Sequence, residues 1–221
     1  MNEVSDTTNA FAPAQIGGEG RERVLNEAYA LFVAVGYAEV SMQHIAAAAG
    51  VTKATLYHHY TGKDELFGAV CRRELQRVRA GIADHIDEAA TFREQLEAVA
   101  RFFLDHGLHS DFIRLMTDFE RHLPPEQRQS CMQGEARPDA VVRPLFERAA
   151  AHGEFRARDL DLDLAVSLFF GMVFCQIKFA QRRALEHKAA QRVADLAPLI
   201  VDTLLHGIGA ARAANVVDGA E

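Results

Sequence analysis

The 221-residue sequence has no cysteine pair at metal or redox spacing: Cys71, Cys131 and Cys175 lie far apart and no CxxC occurs. This argues against a zinc site and against a disulfide framework, and leaves Cys71 and Cys175 to pack as small hydrophobes. Neither HExxH nor the Glu-x-x-His of bundle metalloenzymes is present, and no Ser, Cys or Lys stands in a recognisable activating context. The chain therefore does not read as an enzyme, and no cofactor is expected. Few runs alternate with period two and β-branched residues are sparse, which makes an all-α protein the expectation. The start lacks the basic flank and apolar core of a signal peptide, so a cytoplasmic location is expected. An excess of positive charge is also missing, with a net charge of −7 and a pI near 5.8.

What the sequence does contain is a run of helical stripes. Val24, Leu25, Ala28, Leu31, Phe32 and Val35 recur at three and four residues and end at Gly36, the pattern of one apolar helix face. Ser41 is placed to cap a short Ala-rich helix through Ala49, Gly50 offers the positive-φ turn, and Thr52 caps a second short helix, Lys53 to about His59. Thr61 and Asp64 have capping-box spacing at the next helix, which carries Leu66, Phe67, Val70, Cys71, Leu75, Val78, Ile82 and Ile86. Further on, Thr91 caps a helix, a break is expected at Gly107 to Ser110, and Pro144 is expected to kink a helix that begins at Pro138. Asp159 or Asp161 caps the most apolar helix, about Leu162 to Arg183. Its apolar core falls short of the roughly 20 residues of a membrane span, so it reads as buried in a bundle and no membrane partner is expected.

Helix, glycine turn and polar second helix over residues 41–60 have the composition of a helix-turn-helix. If the second helix enters a major groove, Lys53 is placed for a phosphate or a guanine edge and Thr55 for a base or phosphate. Tyr57, His58 and His59 would grip the backbone, with Lys63 adding a phosphate contact. Ser41, Gln43, Thr52 and Ala54 complete the candidate DNA-facing set. Tyr57 has an alternative, packing against the first helix with only its hydroxyl outside.

In order and spacing, Gly36-Tyr37, Ile45-Ala46, Ala49-Gly50-Val51, Thr55-Leu56-Tyr57, Tyr60 and Lys63-Asp64-Glu65-Leu66 resemble the TetR family of bacterial transcriptional regulators. The match covers about Arg21 to Val70. The resemblance implies a three-helix amino-terminal head followed by a larger helical effector and dimerisation bundle. It also implies phosphate contacts at Thr55, Tyr57, His59 and Lys63, which leaves Lys53 and His58 for sequence reading. Its further implications are a homodimer on a palindromic double-stranded DNA operator and release by a small, frequently hydrophobic effector, with repression the usual outcome.

On these grounds the chain divides into a disordered arm (1–17), a DNA-binding head (18–78), a ligand-binding and dimerisation body (79–213) and a tail (214–221). Candidates for an effector pocket are Phe102, Phe103, Phe112, Met116, Phe119, Phe170 and Phe174, apolar side chains suited to a cavity between helices. Candidates for the dimer interface are Phe169, Val173, Ile177, Ile200, Leu204 and Ile208, on the two last apolar stripes. A rival reading comes from Asp105, His106, His109, Asp111, Asp118, Glu120 and His122: His106 and His109 are one helical turn apart and could share a metal, which would make the chain a metal-responsive regulator or a helical-bundle metalloprotein.

Overall fold

A computed structural model describes residues 17–109, 111–132, 139–155, 161–183 and 196–208. Most of the expected arm and all of the tail therefore lie outside the described residues, as does Pro138. Among the described residues every regular element is helical. The chain divides into two compact units, residues 1–73 with 114–132 and residues 74–113 with 133–221. The head thus gathers a later segment that the sequence reading assigned to the body, and the division falls inside a helix, between Arg73 and Glu74.

The first unit holds α1 (Gly18–Val35), α2 (Met42–Ala48), α3 (Lys53–His59), the first half of α4 (Lys63–His85), most of α6 (Phe112–His122) and α7 (Pro125–Cys131). Gly36 ends α1 at φ 91°, ψ 156°, a backbone region open essentially to glycine alone, and its N–H donates to Phe32 O. Ser41 Oγ accepts the His44 N–H at 3.2 Å and caps α2. Thr52 Oγ1 accepts the Thr55 N–H at 3.0 Å and caps α3. Between them Gly50 takes φ 64°. One core joins these helices: Val24, Ala28 and Phe32 of α1, Ile45 of α2, Leu56 of α3, Leu66, Phe67 and Val70 of α4, and Leu115, Phe119 and Leu123 in and after α6. Each fully buried Leu or Phe contributes about 1.5–3 kcal/mol, so α6, through Leu115 and Phe119 with Leu123 after it, is part of the head's core as α1 is, and α7 adds Cys131.

The Thr61–Asp64 capping box is replaced by a different one. Glu65 Oε2 accepts from Thr61 N and Thr61 Oγ1, both at 2.7 Å, because the Asp64 carboxylate is taken by the Tyr37 hydroxyl.

The second unit contains the rest of α4, α5 (Phe92–His109), α8 (Asp139–Ala151), α9 (Leu162–Arg183) and α10 (Leu196–Asp202), which continues as a π-helical turn over Thr203–Ile208. Thr91 and Glu94 form a reciprocal cap on α5, and bonds from the Thr91 hydroxyl and N–H hold the Glu94 carboxyl below its ordinary range. Within the break expected at Gly107 to Ser110, α5 runs through Gly107 and ends at His109, and α6 begins at Phe112. α8 continues through Pro144, and Asp161 Oδ1 caps α9 through Leu164 N at 2.6 Å. By length and composition the Leu162–Phe179 stretch is apolar enough to cross a membrane, contrary to the sequence reading. Its inward residues Ala165, Val166, Phe169, Val173 and Ile177 are nevertheless buried, and the helix packs on α5, α8 and α10 in the manner of a bundle's central helix.

Candidate nucleic-acid interface

The two short helices are held from behind and present a polar front. Ile45 and Leu56 are fully buried and anchor α2 and α3 to the core. Arg23 Nε, reaching from α1, donates to Ala49 O at the end of α2 at 3.0 Å. Behind α1, Arg73 donates to Asn26 Oδ1 at 2.8 Å and Leu25 O at 3.2 Å, with Glu22 at 3.4 Å. Two arginines that would otherwise be free to meet phosphate are therefore committed to the scaffold.

The outward side of this scaffold brings together Gln43, His44, Thr52, Lys53, Ala54, Tyr57 and His58, all exposed. Ser41 and His59 are half-buried at its edges. Tyr57 points outward at 45% exposure, which disposes of its packing alternative, and Lys53 Nζ lies 5.7 Å from its ring. Thr55 differs from expectation: it is 8% exposed and its hydroxyl meets that of Thr52 at 2.7 Å, so it serves the cap and faces away from a partner. His44 escaped the sequence reading. Its position next to Gln43 in the first turn of α2 was the available signal.

Lys63 sits where its role is partly structural. Its ammonium donates to Tyr37 O at 2.9 Å and Ala38 O at 3.3 Å, and lies 4.2 Å from the Tyr37 ring. Tyr37 is the hub of this corner. Its N–H donates to Asp118 Oδ2 at 3.0 Å, His122 stacks on its ring at 4.8 Å, and its hydroxyl donates to Asp64. Burial first, then the Asp64 carboxylate, push the hydroxyl's pKa upward, so it remains a donor.

A polar groove of about 640 Å³ in the first unit is lined by His59, Tyr60, Asp64, Glu65, Arg72 and Cys131 among others. None of the effector-pocket candidates lines it. The body candidates Phe103, Phe170 and Phe174 do meet, with centroids 5.4–5.9 Å apart. Phe102 turns toward His85 at 5.0 Å, and Phe112 is buried. Met116 and Phe119 belong elsewhere: they pack in the core of the head, on the part of α6 that joins it.

The dimer candidates also require correction. Phe169, Val173, Ile177, Ile200 and Leu204 are buried within the chain's own bundle, and the side chain of Ile208 lies outside the described residues. The most apolar positions of these helices are the ones a protomer buries for itself. Among the described residues, the exposed large apolar side chains of these helices are Leu164, Leu168 and Phe179 on α9 and Leu199 on α10.

The metal reading has no support. Asp118 and His122 serve Tyr37, the side chains of His106 and His109 lie outside the described residues, and no group of three or more His, Cys, Asp or Glu gathers among the described ones.

Residues 24–70 match the family described as bacterial regulatory proteins, tetR family, and residues 89–176 match a tetracyclin repressor-like C-terminal domain. The HTH-type transcriptional activator FasR of Mycolicibacterium smegmatis is 32% identical over 148 residues, 66% of this chain and 67% of that one. The TetR-family regulator PfmR of Thermus thermophilus superposes with a TM-score of 0.59 at 28% identity, covering 87% of this chain and 97% of that one. FadR of Bacillus subtilis, solved with stearoyl-CoA, gives 0.65 at 20% identity, covering 85% and 98%, and shares the fold.

Proposed function

The chain belongs to the TetR family and is a DNA-binding transcriptional regulator rather than an enzyme, and from that premise we propose that it acts in the cytoplasm as a homodimer on a palindromic operator. The observation that carries this reading is the polar front of α2 and α3, built on two side-chain caps and backed by buried Ile45 and Leu56. Lys53 and His58 read base edges. Ser41, Gln43, Thr52, Ala54, Tyr57, His59 and the remaining donor of Lys63 hold the backbone. Thr55 keeps α3 in shape.

One such front makes too few contacts for selective binding, so two copies read half-sites one helical turn or more apart. The exposed apolar residues Leu164, Leu168, Phe179 and Leu199 supply the pairing face. Leu168→Glu is expected to yield a folded monomer by light scattering, and an unchanged dimer would place the interface elsewhere.

The effector is a small hydrophobic molecule held near Phe103, Phe170 and Phe174, with Phe102 beside Phe103. FadR's stearoyl-CoA makes a long-chain acyl-CoA the first probe. The ligand need favour the non-binding conformation by only a few kcal/mol. Occupying the operator blocks transcription, which makes repression the first reading. The name of the relative FasR, an activator, supports the opposite sign as a second. Titrating the DNA upstream of the chain's own gene by fluorescence anisotropy, with and without stearoyl-CoA, tests both halves. Nanomolar binding weakened by the ligand is expected. Absence of selective binding to any inverted repeat there would overturn the operator reading, and a ligand without effect would remove acyl-CoA.

A further inference from the structure

The DNA-facing side has an unusual charge make-up. Within α2 and α3 the sole Lys or Arg is Lys53, residues 40–62 contain no Asp or Glu, and three histidines, His44, His58 and His59, stand in the same short span. His44 and His58 are exposed, and the His58 and His59 rings meet edge-on with centroids 5.2 Å apart.

Phosphate is the dominant charge such a surface meets, and its grip depends on how many positive groups face it. Fixed cations are few here. Arg23 and Arg73 are bound into the scaffold and Lys63 is braced on Tyr37 and Ala38. Histidine is the side chain that ordinarily changes charge between about pH 5 and 8. The His58 and His59 rings, with centroids 5.2 Å apart, are close enough for one phosphate to meet both.

We propose that DNA binding by this chain takes up protons: His44, His58 and His59 charge as phosphate approaches, so affinity rises as pH falls from about 8 to about 6. This rests on the reading of α2 and α3 as the DNA-facing helices. The sign follows from linkage, because the bound state holds more protons than the free state and is favoured by acid.

Beside His59, α1 brings Arg21 and α4 brings Asp64, Glu65 and Arg72 to the groove they line with it, and α3 itself carries Lys53. Asp64 is engaged by Tyr37 and Glu65 by Thr61. α7 adds the uncharged Gln127, Ser130 and Cys131 to that lining. Arg23 of α1 reaches Ala49 O at the end of α2 far from His44, and Glu39 lies in the turn before α2.

The test is binding of the full chain to a random-sequence duplex of about 30 base pairs, which needs no knowledge of the operator, at fixed salt from about pH 8 to about pH 6. One proton taken up is a tenfold gain per pH unit, so the dissociation constant is expected to fall about tenfold or more across that range. The salt slope should also steepen toward acid, by about 0.9 for each phosphate newly paired. His44→Gln/His58→Gln/His59→Gln flattens both trends. His58→Lys/His59→Lys, which fixes two of the three charges, is expected to bind at pH 8 more tightly than the wild type does there, with only the His44 share of the pH response left. A flat wild-type profile, or a slope that survives the triple Gln substitution, overturns the proposal while leaving DNA binding intact. Failure of the wild type to bind any duplex at low salt overturns the DNA reading and this inference with it.

Discussion

Replacing Lys63 by Ala separates two roles that one ammonium can hold. In the structure Nζ donates to Tyr37 O at 2.9 Å and Ala38 O at 3.3 Å and sits 4.2 Å from the Tyr37 ring. A hydrogen bond from a charged donor is worth about 1.5–3 kcal/mol and a cation over an exposed ring about 0.5–1 kcal/mol. The site is only half-buried, and water rehydrates both carbonyls once the ammonium is gone, so the net loss is about 1–2 kcal/mol. Urea unfolding followed by circular dichroism measures it, and the salt slope of duplex binding reads the other role. Two donors are used inside the protein and the third is left for a phosphate, so the slope is expected to fall by about 0.9 per protomer, on all sequences alike. Stability within about 0.3 kcal/mol of wild type, less than any of these contacts is worth, would refute the bracing role. An unchanged slope would remove Lys63 from the phosphate contacts.

Gly36→Ala should cost about 1–3 kcal/mol, because φ 91° and ψ 156° is a region closed to side chains. Gly50→Ala, in the milder left-handed region at φ 64° with open space around it, should cost nearer 1 kcal/mol; the order of the two unfolding midpoints checks this. Among the described residues the buried Tyr60 hydroxyl has no hydrogen-bond partner, so Tyr60→Phe should be neutral or stabilising by about 1 kcal/mol, and a marked loss would reveal a partner. Thr52→Ala removes the α3 cap and should cost about 1 kcal/mol with weaker duplex binding, read by the same unfolding and anisotropy titrations.

Where the determining chemistry is local, the chain could be read directly. Ser41 and Thr52 cap helices because a hydroxyl three residues before an unpaired N–H has few better options, and Gly36 and Gly50 turn where a side chain would cost free energy. The front of α3 was legible for the same reason, apart from Thr55, whose hydroxyl found a neighbour in Thr52. What could not be read depends on distant partners. Asp64 was unavailable to Thr61 because Tyr37, 27 residues earlier, had claimed it. Met116 and Phe119 are apolar wherever they pack, so composition could not assign them to the head. Likewise, apolarity along α9 marks which residues avoid water but not whether the protomer or a second copy covers them. Leu164, Leu168 and Phe179 were therefore passed over for Phe169, Val173 and Ile177.

Hydroxyl-radical footprinting of the DNA upstream of the chain's own gene most directly tests whether the α2 and α3 front is the surface that meets the duplex. Two symmetric protected patches one helical turn or more apart are predicted, lost in Lys53→Ala/His58→Ala while that variant stays folded and dimeric. Protection that survives these substitutions would contradict the account.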